Sequence, residues 1–382
     1  MVQSILEAFK ELPDPRREHP QKLHKLEDIV VIALCAVLGK CETWEEIADY
    51  GVLKQDVLKK YLELPNGIPS HDTINRVFSL ISPVAWQSCF MTWMSSMSHL
   101  SKEKLIGIDG KVLRGSKSTG TGKVATEQAA LSIVSAWASE NQLVLAQIAL
   151  ENDGHELTVI PDLLELLDLA GASVSIDAAG CHKEVAEQII EQGGDYLLSL
   201  KGNQGKLYDA AKWLFDYNLS EAIPMDSIQT FDVAHGREET RTCWLIKDFD
   251  YLEQAQCDLH KWIHLNAMIV VQSEVLRQGK VTTQKRFFLT SHNFSAEEAL
   301  IRVRKHWSIE NQQHYPLDVL FNEDASRTRT GFAPQNLALL RRLALNILNL
   351  DTESNLSKRR KMLKAAHDDE YLPQLLGLEP TF

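Results

Sequence analysis

Two aspartates, Asp109 and Asp177, stand at matching places: each ends a short apolar run, Leu105–Ile108 and Ala172–Ile176, that reads as a β-strand. A lone aspartate after a strand is more often a turn or helix-cap residue than a functional one. Two at equivalent positions of one inferred sheet are more specific. Paired carboxylates at strand ends suit two divalent ions about 3.5–4 Å apart, which activate an oxygen nucleophile and stabilise the leaving oxygen of a phosphodiester. Magnesium fits such a site because it takes carboxylates plus water and keeps positions open for substrate oxygens.

A third carboxylate should come from a helix crossing the sheet edge, and the segment Arg304–His314 offers Glu310. His306, Glu310 and His314 are four residues apart and so share one face of a regular helix. Such a stripe can orient a ligand or move protons; it is also an ordinary polar exposed face. It is not the zinc-protease pattern, which needs Glu directly after the first of two histidines. Asp318, Glu323 and Asp324 remain open as alternatives for the third position. Glu156, at the start of the helix after the third strand, reads as a helix-dipole partner or an accessory ligand.

The elements that must position these groups follow from the apolar pattern. Residues 1–100 read as all-helical: an almost wholly apolar helix over Leu26–Leu38, a capping box at Thr43 and Glu46, and a helix capped by Ser70 after the turn Pro65–Pro69. Short helices joined by turns suit a helix-turn-helix with Ser70–Arg76 as its recognition end, or a plain helical bundle. From Leu105 the pattern changes to strands at 105–108, 130–138 and 143–150, a helix at 157–169 closed by Gly171, a strand at 172–176, a helix at 183–192 and a strand at 196–200. That order is a three-strand meander followed by two crossover units, as in an RNase H-like α/β domain, and ligands of open α/β sheets sit at carboxyl ends of strands. Residues 212–292 interrupt the scheme as a β-rich insertion, with strands at 230–233, 240–246, 263–272 and 286–289. Helices resume at 295–313 and 334–350. The expected organisation is therefore a helical domain over 1–100, with DNA as its candidate partner, and a catalytic domain over 101–382.

Composition limits the alternatives. The 382 residues are 44% hydrophobic and 24% charged, ordinary for a globular chain. The longest apolar stretch, Ile29–Gly39, is too short to span a bilayer, and the first residues lack a secretory pattern, so a cytoplasmic protein is expected. Six scattered cysteines without a C-x-x-C pair predict free thiols. The net charge of −12 is unusual for a chain that binds nucleic acid, where phosphate contacts dominate affinity. Residues 301–364, however, hold twelve Lys/Arg against six Asp/Glu, a local +6 that makes this segment the expected DNA contact. The Gly-rich stretch 115–122 fails the phosphate-loop pattern, with Lys117 where Gly is needed and Val124 where Ser or Thr is needed, so no nucleotide cofactor is implied.

The sequence resembles the DDE transposases of bacterial insertion sequences, in particular the group of H-repeat-associated proteins. The resemblance covers nearly the whole chain. It is carried by Phe9–Arg16, Trp44–Ile47, Ile108–Lys111 with Arg114–Ser116, Ser175–Ala178, Leu200–Gln204, and His235–Arg237 with Glu239 and Arg241. Its strongest stretch runs from His306–Asn311 through Leu317–Val319 and Glu323–Asp324 to Arg341–Arg342. The resemblance implies that Asp109, Asp177 and Glu310 are both the catalytic and the metal-binding triad. It also implies magnesium (with manganese as substitute), cleavage and joining of strands at element ends, and a homodimer on DNA that pairs two ends. One departure is plain: related transposases with β-insertions often carry Arg four residues before the glutamate and Lys seven after, where this chain has His306 and Leu317. Lys111, Arg114, Lys117 and Lys201 suit phosphate contacts, as do Arg237 and Arg241 of the insertion, with His306 and His314 beside the glutamate. Trp244 is a base-stacking candidate or, more commonly for tryptophan, a core residue. A nuclease of the same fold that never joins, and a decayed copy that only binds DNA, remain as alternatives, as does a role for residues 1–100 in subunit contact.

Overall fold

Helices α1 (Ile5–Lys10), α2 (Leu26–Leu38), α3 (Trp44–Leu53), α4 (Gln55–Leu58), α5 (His71–Leu80) and α6 (Pro83–Ser95) occupy the N-terminal portion of the computed structural model. The structure describes residues 5–19, 22–95, 104–119, 127–150, 154–234, 236–254 and 257–378. The expected capping box is present: Thr43 accepts from Glu46 N–H, and the Glu46 carboxylate accepts from Thr43 N–H. Ser70 caps α5 by accepting from Thr73 N–H. Every residue of α2 except Glu27 is buried, including Asp28, which accepts from Leu64 N–H at 3.1 Å. An all-apolar helix has to be surrounded, and α2 packs against α1, α3 and α5 and against two C-terminal helices.

Those C-terminal helices are α13 (Ala333–Leu350) and α14 (Lys358–His367), followed by α15 (Tyr371–Leu376). The first of them is buried along almost its whole length. Its Asn336 donates to Phe78 O and Ile81 O, satisfying carbonyls at the end of α5, and its own carbonyl accepts from the Trp86 indole. The helical N-terminal portion and the C-terminal helices thus share one hydrophobic core, which also takes in Trp137, Leu143 and Val144 of the sheet. On α5, Ile74, Val77 and Phe78 point inward, leaving His71, Asp72 and Arg76 at the surface.

The sheet begins with β1 (Lys104–Leu113), followed by a two-residue ribbon of β2 (Ser118–Thr119) and β3 (Glu127–Gln128); the glycine-rich tip, residues 120–126, lies outside the described residues. Next come β4 (Leu131–Ala138), β5 (Leu143–Ala149), α7 (Ile160–Glu165), β6 (Ala172–Ile176), α8 (Lys183–Glu191) and β7 (Asp195–Leu200). Helix α7 is shorter than the apolar pattern at 157–169 suggests, because Pro161 sets its start and the chain turns out of helix after Glu165. The strands β5-β4-β1 pair antiparallel, whereas β1-β6-β7 pair parallel.

Helix α9 (Gly205–Ser220) leads into β8 (Asp226–Ala234), β9 (Arg237–Ile246), α10 (Asp250–Gln254), β10 (Ala267–Arg277) and β11 (Lys280–Thr290). These strands do not form a sheet of their own. Leu197–Leu200 of β7 pair antiparallel with Phe287–Thr290 of β11, so one nine-stranded sheet runs β5-β4-β1-β6-β7-β11-β10-β9-β8. The join satisfies the outer edge of β7, which would otherwise be left unpaired. Strand β10 starts four residues later than the sequence pattern and extends to Arg277, where Gln278-Gly279, both left-handed, turn the chain back. Helix α11 (Ala296–His306), a π-type turn over Glu310–His314 and α12 (Tyr315–Phe321) replace the single helix expected over 295–313.

Candidate active site

Strand β1 does not end at Asp109, as the sequence suggests, but at Leu113. What ends at Ile108 is its parallel ladder with β6, whose last pair is Ile108 with Ile176. Asp109 and Asp177 are therefore the next residues on neighbouring strands, which lie about 4.8 Å apart. Beyond that point β1 is held by β4 alone, with Asp109 opposite Ser135. Asp177 leaves the strand into a short turn, and its carboxylate accepts from Ala179 N–H at 2.8 Å. Asn203 and Gln204, which follow β7, donate to Ala178 O and Cys181 O and so pin that turn to the Lys201 loop.

Burial, with the neighbouring charge of Asp177, pushes the Asp109 carboxyl up to about 7; the Gly110 N–H opposes the rise, and Glu156 and Glu310 add to it. Glu156 is close for a definite reason: its carboxyl lies over Gly110, where any Cβ would collide with it. Burial and Asp177 push Glu156 upward as well. Such a group of like charges calls for a positive partner.

Glu310 lies at the surface and lines the same cleft of about 340 Å³ as Asp109 and Asp177. The π-type turn breaks the even four-residue stripe. His306 reaches the Ser175 hydroxyl, 2.9 Å from its Nδ1, in space left by Gly107. His314 lies with Nδ1 3.7 Å from Asp109. Burial holds both imidazoles neutral, His306 pushed down to about 4 and His314 to about 3, so the His314–Asp109 approach is not an ion pair. π-turns of this kind recur at functional sites.

The other three candidates for the third carboxylate are committed elsewhere. Asp318 pairs with Lys111 at 2.6 Å. Glu323 is fully buried against Arg342 at 2.6 Å. Asp324 accepts from Arg114 N–H at 2.9 Å and faces its guanidinium. The same contact brings Gly115 against the 324–326 backbone, where a Cβ would stand 2.6 Å from Ser326 O. Gly115→Ala is expected to destabilise the protein by about 1–3 kcal/mol, because backbone rather than a side chain would have to move. Thermal unfolding checks this; an unchanged midpoint would mean that the loop yields freely.

Several expected phosphate contacts have other occupations. Lys111 is nearly buried, and Arg241 is held between Asp232 and Glu239. Arg237 pairs with Glu239 but is half exposed. Trp244 packs edge-on to Phe215 in the core. Lys117 is exposed, and Lys201 lines the cleft. The positive count over 301–364 overstates the surface charge, since Arg341, Arg342 and Lys361 are buried. Sequence reasoning overlooked Gln284, Arg286 and Trp307, which line the cleft opposite the aspartates, with the Arg286 guanidinium 3.5 Å above the Trp307 ring. The signal available was Trp307 itself, one turn before Glu310. The carboxylates share the cleft without closing on one point: among the described residues no three His, Cys, Asp or Glu side chains are arranged to hold a metal ion.

Residues 100–347 match the family described as transposase DDE domain, and residues 6–94 match one described as DDE_Tnp_1-associated. The chain belongs to the DDE transposase family. Among its relatives in this family, "Putative transposase YncI" of Escherichia coli O157:H7 is 37% identical over 382 residues, covering 98% of this chain and 95% of that one. "H repeat-associated putative transposase YhhI" of Escherichia coli K12 is 36% identical over 377 residues, covering 98% of both. Of solved structures, that of the piggyBac transposase synaptic complex with hairpin DNA aligns with a TM-score of 0.43 and 10% identity, over 100% of this chain and 79% of that one. Among the described residues, no helix of this DDE transposase chain is long and apolar enough to cross a membrane.

Proposed function

We propose that this chain cleaves and joins DNA strands at the ends of an insertion sequence, with Asp109, Asp177 and Glu310 as its catalytic carboxylates. The observation that carries the reading is the adjacency of Asp109 and Asp177 where the β1–β6 ladder stops, in a cleft that also takes Glu310. The strand order β5-β4-β1-β6-β7, antiparallel then parallel, supports an RNase H-like catalytic domain over residues 101–382. Residues 212–292 would be its insertion and residues 1–100 a helical, DNA-contacting domain.

The donor set fits magnesium or manganese. All three groups offer carboxylate oxygens, and the Asp109 carboxyl, pushed up to about 7, would ionise fully beside a cation. A closed protein cage is not required, because magnesium takes one or two carboxylates and fills its remaining positions with water and substrate phosphate. When bound, the ions supply an activated oxygen nucleophile and stabilise the leaving oxygen. The protein's own part is positional. The sheet fixes the spacing of the two aspartates, the π-type turn presents Glu310, and neutral His306 and His314 pack behind the carboxylates without competing as cations. Lys201 and Arg286 face the cleft, where a phosphodiester backbone needs positive partners. Pairing two element ends requires a homodimer on DNA, acting in the bacterial cytoplasm.

The test is nicking of a supercoiled plasmid carrying this gene with its native flanks, with magnesium, manganese or chelator. Metal-dependent cuts at the element ends followed by strand-transfer products are expected; cuts without joining would leave a nuclease, and no cutting a chain that only binds DNA. Glu310→Gln should lose cleavage by about a hundredfold or more, whereas Asp318→Asn should stay within several-fold of wild type. The reverse ranking would move the third carboxylate to Asp318.

A further inference from the structure

The four strands β8–β11 gather most of their cations on one face. Side chains alternate along a strand, so Arg237, Glu239 and Arg241 share a face of β9 with Cys243 and Leu245, which pack beneath α11. By cross-strand register Arg277 of β10 and Lys280 and Arg286 of β11 lie on that same face. Helix α11 covers this face from Asp226, which accepts from Ala296 N–H, out to Asp232, which Arg304 meets. The outer end is bare. There Arg237, Arg277 and Lys280 stand directly opposite one another in a single row across three strands. Glu238 and Glu274 point to the other face.

Like charges directly opposite in a sheet are destabilising, so a row of three cations needs an explanation. Within the chain Arg237 pairs with Glu239, but among the described residues Arg277 and Lys280 have no ion-pair partner. Five of the six Lys and Arg of these strands lie on this face, set against Asp226, Asp232 and Glu239, in a protein whose net charge is −12. The row is also continuous with the cleft, because Arg286, which lines it beside Trp307, lies on the same face of the same strand as Lys280.

We propose that this face is a phosphate track along which duplex DNA leaves the cleft, with Arg277 and Lys280 contacting its backbone. The inference rests on the reading that the cleft acts on DNA. Six residues of β11 separate Arg286 from Lys280, about 20 Å at strand rise, which corresponds to about six base pairs of duplex.

The experiment compares full-length wild type with Arg277→Ala/Lys280→Ala, titrated against duplexes taken from the flanks of this gene. One duplex stops at the element end, and others extend about ten base pairs to either side, beyond the span of the track. Salt is varied from about 50 to 200 mM. On one of the extended duplexes the variant should bind at least about tenfold more weakly, and its slope of log affinity against log salt should fall by about 2. On the short duplex it should match wild type, and Arg277→Lys/Lys280→Arg should retain the wild-type slope. Unchanged affinity and slope on every extended duplex, with wild type binding normally, would overturn the track while leaving the DNA reading intact. Wild type that binds none of the duplexes would overturn that reading and the track with it. If sedimentation showed the variant altered only in self-association, the row would instead be a contact with a second copy of this acidic chain.

Discussion

Asp109→Asn is expected to lower metal-dependent strand cleavage at least about a thousandfold, which is about 4 kcal/mol of transition-state stabilisation, while DNA ends remain bound. Asparagine keeps the shape of the side chain but removes the charge that would hold a divalent ion. A second readout separates loss of chemistry from loss of fold. The Asp109 carboxyl is raised from its ordinary 3.8 to about 7 by burial and by Asp177. A raised carboxyl makes the folded state keep a proton that the unfolded chain has released. Its stability is therefore full below about pH 4, declines as pH rises toward 7, and stays lost above. The cost reaches up to about 4 kcal/mol at high pH when no cation is present. In chelator at pH 8 the variant should melt above wild type, and the difference should shrink toward pH 4. Retained cleavage in the variant would remove Asp109 from the triad. A variant that melts lower at pH 8 would mean that the buried carboxylate is better satisfied than its surroundings indicate.

Arg342→Met should destabilise the fold by about 3–5 kcal/mol, because it leaves Glu323 buried without its cation. Both side chains are fully buried, 2.6 Å apart, and Arg342 also donates to Ser135 Oγ and Ala338 O. Ser135 is the cross-strand neighbour of Asp109, so the pair props the sheet directly behind the site. The distinction from Glu310 is measurable. Glu310→Gln should keep its denaturation midpoint and lose cleavage, whereas Arg342→Met should lose several kcal/mol in a denaturant titration. An Arg342→Met protein as stable as wild type would mean that water reaches Glu323.

Much of this arrangement was legible in the residues. Leu26–Leu38 and Ala172–Ile176 fold over the spans that their apolar pattern marks, and the Thr43–Glu46 box is formed. Both signals are local, so they survive without knowledge of the partner. The attachment of β11 to β7 is not local: nothing in Phe287–Thr290 says which edge it will meet, and the strands therefore read as a separate insertion. Their outer halves read as loop because Glu274, Arg277, Lys280 and Thr282, covered by no second layer, break up the apolar pattern there. At the site, sequence spacing made His306, Glu310 and His314 one helical face, which a turn of wider pitch then separated. The choice among Glu310, Asp318, Glu323 and Asp324 was unreadable for a plainer reason. Their counter-ions Lys111, Arg114 and Arg342 come from distant strands and helices.

The shared core of α2 and α13 also sets a timetable for synthesis. A helix apolar on nearly every side leaves the ribosome roughly 300 residues before the helix that completes its burial. At about 5–20 residues per second that is an interval of about 15–60 seconds. Throughout it, the face of α2 meant for α13 and the carbonyls of α5 meant for Asn336 have only water or a chaperone to meet. The nascent transposase is thus sticky for as long as that stretch is being made, and α13 is the segment that ends the hazard.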